Sequence, residues 1–277
     1  MEIMQETCYT IMMQFDKTQM GRFAMGQDLQ KAGMWKRIAA WMFDGILTGI
    51  LAVGLGLLLS ALLGYDGHSR NLDMAYAKYE AEYGITFDIS QEEYTALAED
   101  TRQRYDAAYE ALIRDEEAMY AYNMMLSLSL VITSFGILLA YLLWEFLLPL
   151  WLGNGQTLGK KIFGLCLIRA DGVRVNTMQL FTRMLLGKYT VETMIPVSVL
   201  LMLFWGTIDL TGTLILLALL AAQLVCLAVT RTNSALHDLL AGTVVADMSS
   251  QMIFRTTEDL IAYQKQAAAE RSARQAY

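Results

Sequence analysis

The chain has 277 residues, of which 55% are hydrophobic and 18% charged, with a net charge of −7. That charged fraction is low for a soluble domain, and the apolar residues are gathered into long runs, which argues against one large water-soluble core and for a bilayer. Three cysteines far apart in sequence (Cys8, Cys166, Cys226), no CxxC and two remote histidines (His68, His237) argue against a disulfide framework or a structural zinc site.

Residues 1–30 mix Glu2, Glu6, Asp16, Lys17 and Arg22 with short apolar pieces and hold no clean signal-peptide core. Segment 1–36 is expected to be cytoplasmic, and the first span, 37–64, to act as an uncleaved signal anchor. Within this span the apolar run Ile38–Leu63 contains Asp44, one heptad after Arg37. A carboxylate near the centre of such a helix costs roughly 2.5–3.5 kcal/mol on insertion scales and belongs at a protein-lined or hydrated interior. Arg37 and Asp44 share a helix face but stand about 10 Å apart along the axis, too far for a good direct salt bridge. Each therefore needs a partner elsewhere. Gly45 and Gly49 form a GxxxG step that would admit a close helix. Asp44 reads either as an ion- or proton-binding carboxylate or as a structural polar contact.

Segment 65–123 carries fourteen acidic and five basic residues, net −9, and is expected to lie outside the membrane. Ser90 and Glu93 read as a capping box, and Tyr94, Leu97, Tyr105, Ala108, Tyr109 and Leu112 recur at roughly helical spacing. With a second Tyr/Ala/Glu-rich stretch at 73–83, this predicts a helical hairpin whose second helix runs unbroken into the second span, 124–152. The tyrosines are either hairpin core or a contact surface. Glu145 lies inside the second span. Placed beside Asp44, it would form a carboxylate pair with one raised pKa, suited to proton exchange; the alternative places it at the inner headgroups.

Segment 153–194 is expected to be a basic cytoplasmic loop, since its stretch 153–189 carries Lys160, Lys161, Arg169, Arg174, Arg183 and Lys188 against one acid, Asp171. Gly155–Lys161 lacks the spacing of a phosphate loop; Lys160 and Lys161 are expected at anionic lipid headgroups. Leu165–Arg169 and Val173–Val175 around Ala170-Asp171-Gly172 predict a β-hairpin. A transmembrane hairpin at 195–230, turning at 209–212, holds the third and fourth spans, and 231–277 is expected to be cytoplasmic. His237 and Asp238 are adjacent, about 100° apart on a helix, and cannot form a relay with each other. Asp238 is instead expected to pair with Arg37, with Arg183 and Lys188 in the same structural polar network. No nucleophile constellation is present, so an enzyme is not favoured. No catalytic residue, cofactor or nucleic-acid partner is expected, and no metal ligand is assigned.

These residues together resemble the RDD family of membrane proteins, named for one arginine and two aspartates. The matching positions are Arg37 and Asp44 in AGMWKRIAAWMFDG and Asp238 in NSALHDLLAGTVV, with GNGQTLGKKIFGLCLIRADG and LFTRMLL around Arg183 as the middle portion. The likeness covers about residues 32–247 apart from the acidic insert, which departs from the short first loop common in the family. The resemblance implies a polytopic membrane fold, and with the runs and turns above the reading is an all-α polytopic protein of about four transmembrane helices, with an extracytoplasmic helical hairpin and a short cytoplasmic β-hairpin-like loop. The Lys and Arg of its loops predict the cell inner membrane with both termini cytoplasmic. Two functional readings stand: a transporter or transporter component for cations, protons or small solutes using Asp44 and Glu145, and a non-transporting scaffold or receptor whose outer hairpin binds a protein or peptide. Partners are the lipid bilayer with its anionic headgroups and, since four spans are few, a homo-oligomer or larger membrane complex.

Overall fold

The computed structural model of the protein describes residues 32–204, 210–230 and 232–275. Most of the N-terminal segment, the 205–208 stretch with Asp209 of the expected turn, and Arg231 lie outside the described residues. Among those described, four helices are long and apolar enough to cross a membrane: α1 (Met34–Leu63), α5 (Glu116–Leu152), α7 (Thr177–Leu203) and α8 (Leu210–Val229). The chain divides into two compact units, one built from residues up to Thr48 together with those from Tyr141 onward, the other spanning Gly49–Ala140.

The Gly49–Ala140 unit contains the insert, and its turns follow from local chemistry. Gly64 and Gly84, both at positive φ, bound α2 (Tyr65–Tyr83), because glycine enters the left-handed region without steric cost. The Ser90 capping box forms, Glu93 N–H donating to Ser90 Oγ at 3.2 Å and Ser90 N–H to Glu93 Oε2 at 2.7 Å, and starts α3 (Gln91–Ala96). The insert does not continue as one helix into the second span. Extended residues at Leu97 and Ala98 separate α3 from α4 (Glu99–Arg114), and Asp115, also extended, separates α4 from α5. Asp115 accepts from the amides of Glu117 and Ala118, at 3.0 and 3.2 Å, so it caps α5 and begins that helix at Glu116 rather than near Met124. Tyr79 donates to the same carboxylate at 2.9 Å. Tyr76, Phe87, Tyr105 and Tyr94 form a chain of edge-to-face rings, and Tyr79 packs with Leu112 and Ala118. Most tyrosines of the insert are therefore core, while Tyr109, Tyr120 and Tyr122 are exposed.

In the other unit α1 buries Ala40, Asp44 and Thr48, a stripe of period four, and exposes Trp35, Trp41 and Ile46. Small and polar residues face protein and large apolar ones face outward, the reverse of a soluble amphipathic helix. The third span begins at Thr177, capped by the reciprocal Asn176–Gln179 box, rather than near Ile195; half of the expected basic loop is thus helix. The chain has two prolines, and each follows a π-helical stretch: Leu142–Leu147 before Pro149, and Arg183–Met194 before Pro196. The wider i→i−5 register, with Leu148 N–H donating to Leu143 O and Ile195 N–H to Thr190 O, carries each helix into a residue that cannot donate.

Between the second and third spans lie α6 (Leu158–Ile162) and β1 (Leu165–Arg169), and after the fourth come α9 (Leu236–Ala241), β2 (Thr243–Asp247) and the C-terminal α10 (Thr257–Gln275). The Asp171-Gly172 turn forms, with Arg169 N–H donating to Val173 O at 2.8 Å. The expected hairpin nevertheless stops at one bridge, Ile168 to Arg174, because Asn176 already caps α7. The real partner of β1 is β2, antiparallel, with Leu165 opposite Asp247 and Arg169 opposite Thr243. Leu165, Leu167 and Val245 cover one side of this ribbon and Cys166, Ile168, Val244 and Ala246 the other. Both faces are buried, which is why the strands read as continuous apolar runs.

Candidate functional site

Asp44 is buried and is held by donors, not by a cation. Its Oδ1 accepts from Gly159 N–H at 2.9 Å and from Trp144 Nε1–H at 3.2 Å, and its Oδ2 accepts a short hydrogen bond from the Thr157 hydroxyl. Thr157 is the N-cap of α6, so the carboxylate meets the free amides at the start of that helix. The approach demands glycine: a Cβ on Gly159 would stand 2.6 Å from Ala40 O and 2.8 Å from the Asp44 carboxylate. The close contact expected at Gly45 and Gly49 lies here instead, since a Cβ on either of those would meet nothing within 4 Å.

Glu145 sits in the π segment of α5, buried and paired. Lys188 donates to it in a close ion pair, Arg183 Nη1 lies 3.5 Å away and Lys160 Nζ 3.7 Å away. Asp44 and Glu145 are not bonded to each other, and Lys160 feels the charge of both. Lys160 is therefore not a headgroup ligand: it is 6% exposed, turned inward by Glu145, whereas Lys161 is exposed. Among the described residues the Lys160 ammonium has no hydrogen-bond partner. Burial lowers its pKa to about 8, against the opposing pull of Glu145.

Arg183 organises the rest. Its Nε donates to Asp238 Oδ1 at 2.9 Å and its Nη2 to His237 Nε2 at 2.9 Å, while Nη1 reaches Glu145. Arg37 Nη2 stands 3.6 Å from Asp238 Oδ2, and Arg37 Nη1 donates to Thr232 O at 3.1 Å. Asp238 thus lies between two arginines, with Arg183 the closer, and Thr243 adds a hydroxyl donor at 3.2 Å. Burial opposes its charge, but Arg183 and then Arg37 hold its carboxyl well below the usual carboxylate range. His237 Nδ1 meets Glu192 at 2.8 Å. Close packing joins these elements, because a Cβ on Gly187 would lie 2.4 Å from His237 Cβ.

The network therefore holds four carboxylates (Asp44, Glu145, Glu192, Asp238) and four cations (Arg37, Lys160, Arg183, Lys188), with the His237 ring between Arg183 and Glu192. Sequence reasoning did not assign Trp144, Thr157, Gly159, Glu192 or His237 to it. The available signal was Glu192, Lys188 and Arg183 recurring near Pro196, charges that a spanning helix keeps only when they are paired inside. No group of three or more metal-ligating side chains is present among the described residues.

The RDD family matches residues 31–242. The chain belongs to the RDD family. In this RDD membrane protein the arginine and the second aspartate meet, Arg37 against Asp238, while the first aspartate, Asp44, binds the Thr157–Gly159 turn. The searches of curated proteins and of solved structures returned no match.

Proposed function

We propose that this RDD protein is a transport component that moves protons or small cations through the buried network, with Lys160 as the exchanging group and Glu145 as its counter-ion. The observation that carries this reading is the Lys160 ammonium: enclosed, without a hydrogen bond among the described residues and 3.7 Å from Glu145, with burial lowering its pKa to about 8. Ionisable groups enclosed among membrane helices are kept for such work more often than for stability, and π stretches like those that carry Glu145, Arg183 and Lys188 are frequent at functional sites. The proposal shifts the working carboxylate from Asp44 to Glu145, since Asp44 is saturated by uncharged donors. Lys160, Lys161, Arg169 and Arg174 in the loop 153–176, with Lys36 and Arg37 at the start of α1, support an inner membrane orientation with both termini cytoplasmic and the acidic insert outside.

The test is flux in proteoliposomes holding a pH-sensitive dye under an imposed pH or sodium gradient. The wild-type protein is expected to dissipate the gradient, and inserted, folded Glu145→Gln or Lys160→Gln to slow it at least tenfold. Wild-type flux equal to that of protein-free vesicles, or undiminished flux in both variants, overturns the reading. The scaffold or receptor alternative draws on the numerical match of the four carboxylates and four cations, which suits a lock between helices. It predicts no flux and capture of a partner that depends on residues 65–115.

A further inference from the structure

We infer that His237 is an acid-sensitive latch that fastens α9 to the π segment of α7. Arg183 carries only donors, so the 2.9 Å contact of its Nη2 makes His237 Nε2 an acceptor, and the imidazole proton must sit on Nδ1, facing Glu192 at 2.8 Å. The ring is neutral in this arrangement. A second proton can only go on Nε2, where it points at a guanidinium N–H. Protonation and the Arg183 contact are therefore mutually exclusive.

The groups facing this ring come from every neighbouring element. Arg183, Lys188 and Glu192 come from α7, Asp238 from α9, Arg37 from α1, and Glu145 and Tyr141 from α5 through Arg183 and Glu192. A protonated ring gains Glu192 and Asp238 but meets Arg183 at contact distance. A proton on Nε2 must turn from Arg183 towards Asp238 Oδ2, 3.7 Å away, while Gly187 packs directly on the His237 backbone and Cβ. The latch also holds the start of α9, whose N-cap Ala235 has no capping side chain. Glu192 accepts the His237 amide at 3.2 Å and Gln223 of α8 accepts the Leu236 amide at 3.1 Å. Evicting Arg183 disturbs the same Glu192 that caps α9.

The sign follows from linkage. Burial, followed by Arg183, pulls the His237 pKa below its ordinary value of 6.5 despite Asp238 and Glu192. The released state then binds the proton more readily, so the latch is fully closed above pH 6.5 and loosens as pH falls below it. This inference stands apart from the transport reading, because it concerns the closure of α9 and not flux.

The experiment is amide hydrogen exchange on full-length protein in lipid nanodiscs at pH 7.5 and 5.5, corrected for intrinsic exchange and read over residues 236–247. Wild type and the control His68→Gln are expected to lose protection at least fivefold at the lower pH, and His237→Gln to show no pH dependence. Should His237→Gln not fold, Glu192→Gln serves: without the carboxylate that steadies a charged ring in the closed state and accepts the His237 amide, the opening moves to higher pH. Unchanged protection in wild type, the same loss in His237→Gln, or an unmoved midpoint in Glu192→Gln overturns the latch.

Discussion

Glu145 is enclosed by Lys160, Arg183 and Lys188, so removing its charge leaves three cations with one fewer partner in a medium that cannot solvate them. Breaking a buried pair from one side costs about 3–5 kcal/mol. Removing Lys160 instead leaves Glu145 with two cations and relieves a burial that already lowers the lysine pKa to about 8. Thermal unfolding in detergent at pH 7 is therefore expected to show a large loss for Glu145→Gln and a much smaller change for Lys160→Met. Equal losses would mean that Lys160 is as firmly paired as its neighbours. At this scale the sequence exposed Asp44 as a residue in need of a partner and brought Arg37 towards Asp238. It did not reveal that Lys160 turns inward, because a lysine in a basic loop and a lysine beneath a carboxylate look alike until the loop is folded.

The elements explain why these side chains can meet. Two π stretches place Glu145, Arg183, Lys188 and Glu192 while preparing each helix for its proline, and two glycines let neighbouring segments touch: Gly159 against α1 and Gly187 against α9. Gly187→Ala forces a methyl into His237, and overpacking of this kind costs about 1–3 kcal/mol. It is expected to lower the unfolding temperature and to loosen residues 236–241 in hydrogen exchange at pH 7.5, with helix content by circular dichroism retained. A variant as stable and as protected as wild type would show that α9 shifts freely. The third span was placed too late in the sequence because Arg183, Lys188 and Glu192 lower its apolar content. A hydropathy reading prices each charge as if alone, whereas here each has its opposite within the fold. The Ser90 cap was legible because it involves residues three apart; the pairing of β1 with β2 was not, because the partners are more than seventy residues apart, as Leu165 and Asp247 show.

At the scale of the whole molecule, every member of the charge network belongs to the unit made of residues up to Thr48 and from Tyr141 onward, and none to the insert. Replacing residues 65–115 by a flexible Gly/Ser linker is expected to leave a protein that inserts into membranes and keeps the acid-dependent loosening of α9. Loss of that pH dependence would make the insert part of the network's support. By itself the sequence determined that this is a polytopic helical membrane protein, that charged residues lie within its apolar spans, and that its residues resemble the RDD family. Those conclusions rest on local apolar length and on short motifs, which the chain states directly. Only the tertiary structure decided which carboxylate meets which cation. Buried charge needs an opposite charge or, as at Asp44, convergent hydrogen-bond donors, and these partners join helices α1, α5, α7 and α9 across stretches of sequence that carry no mark of them.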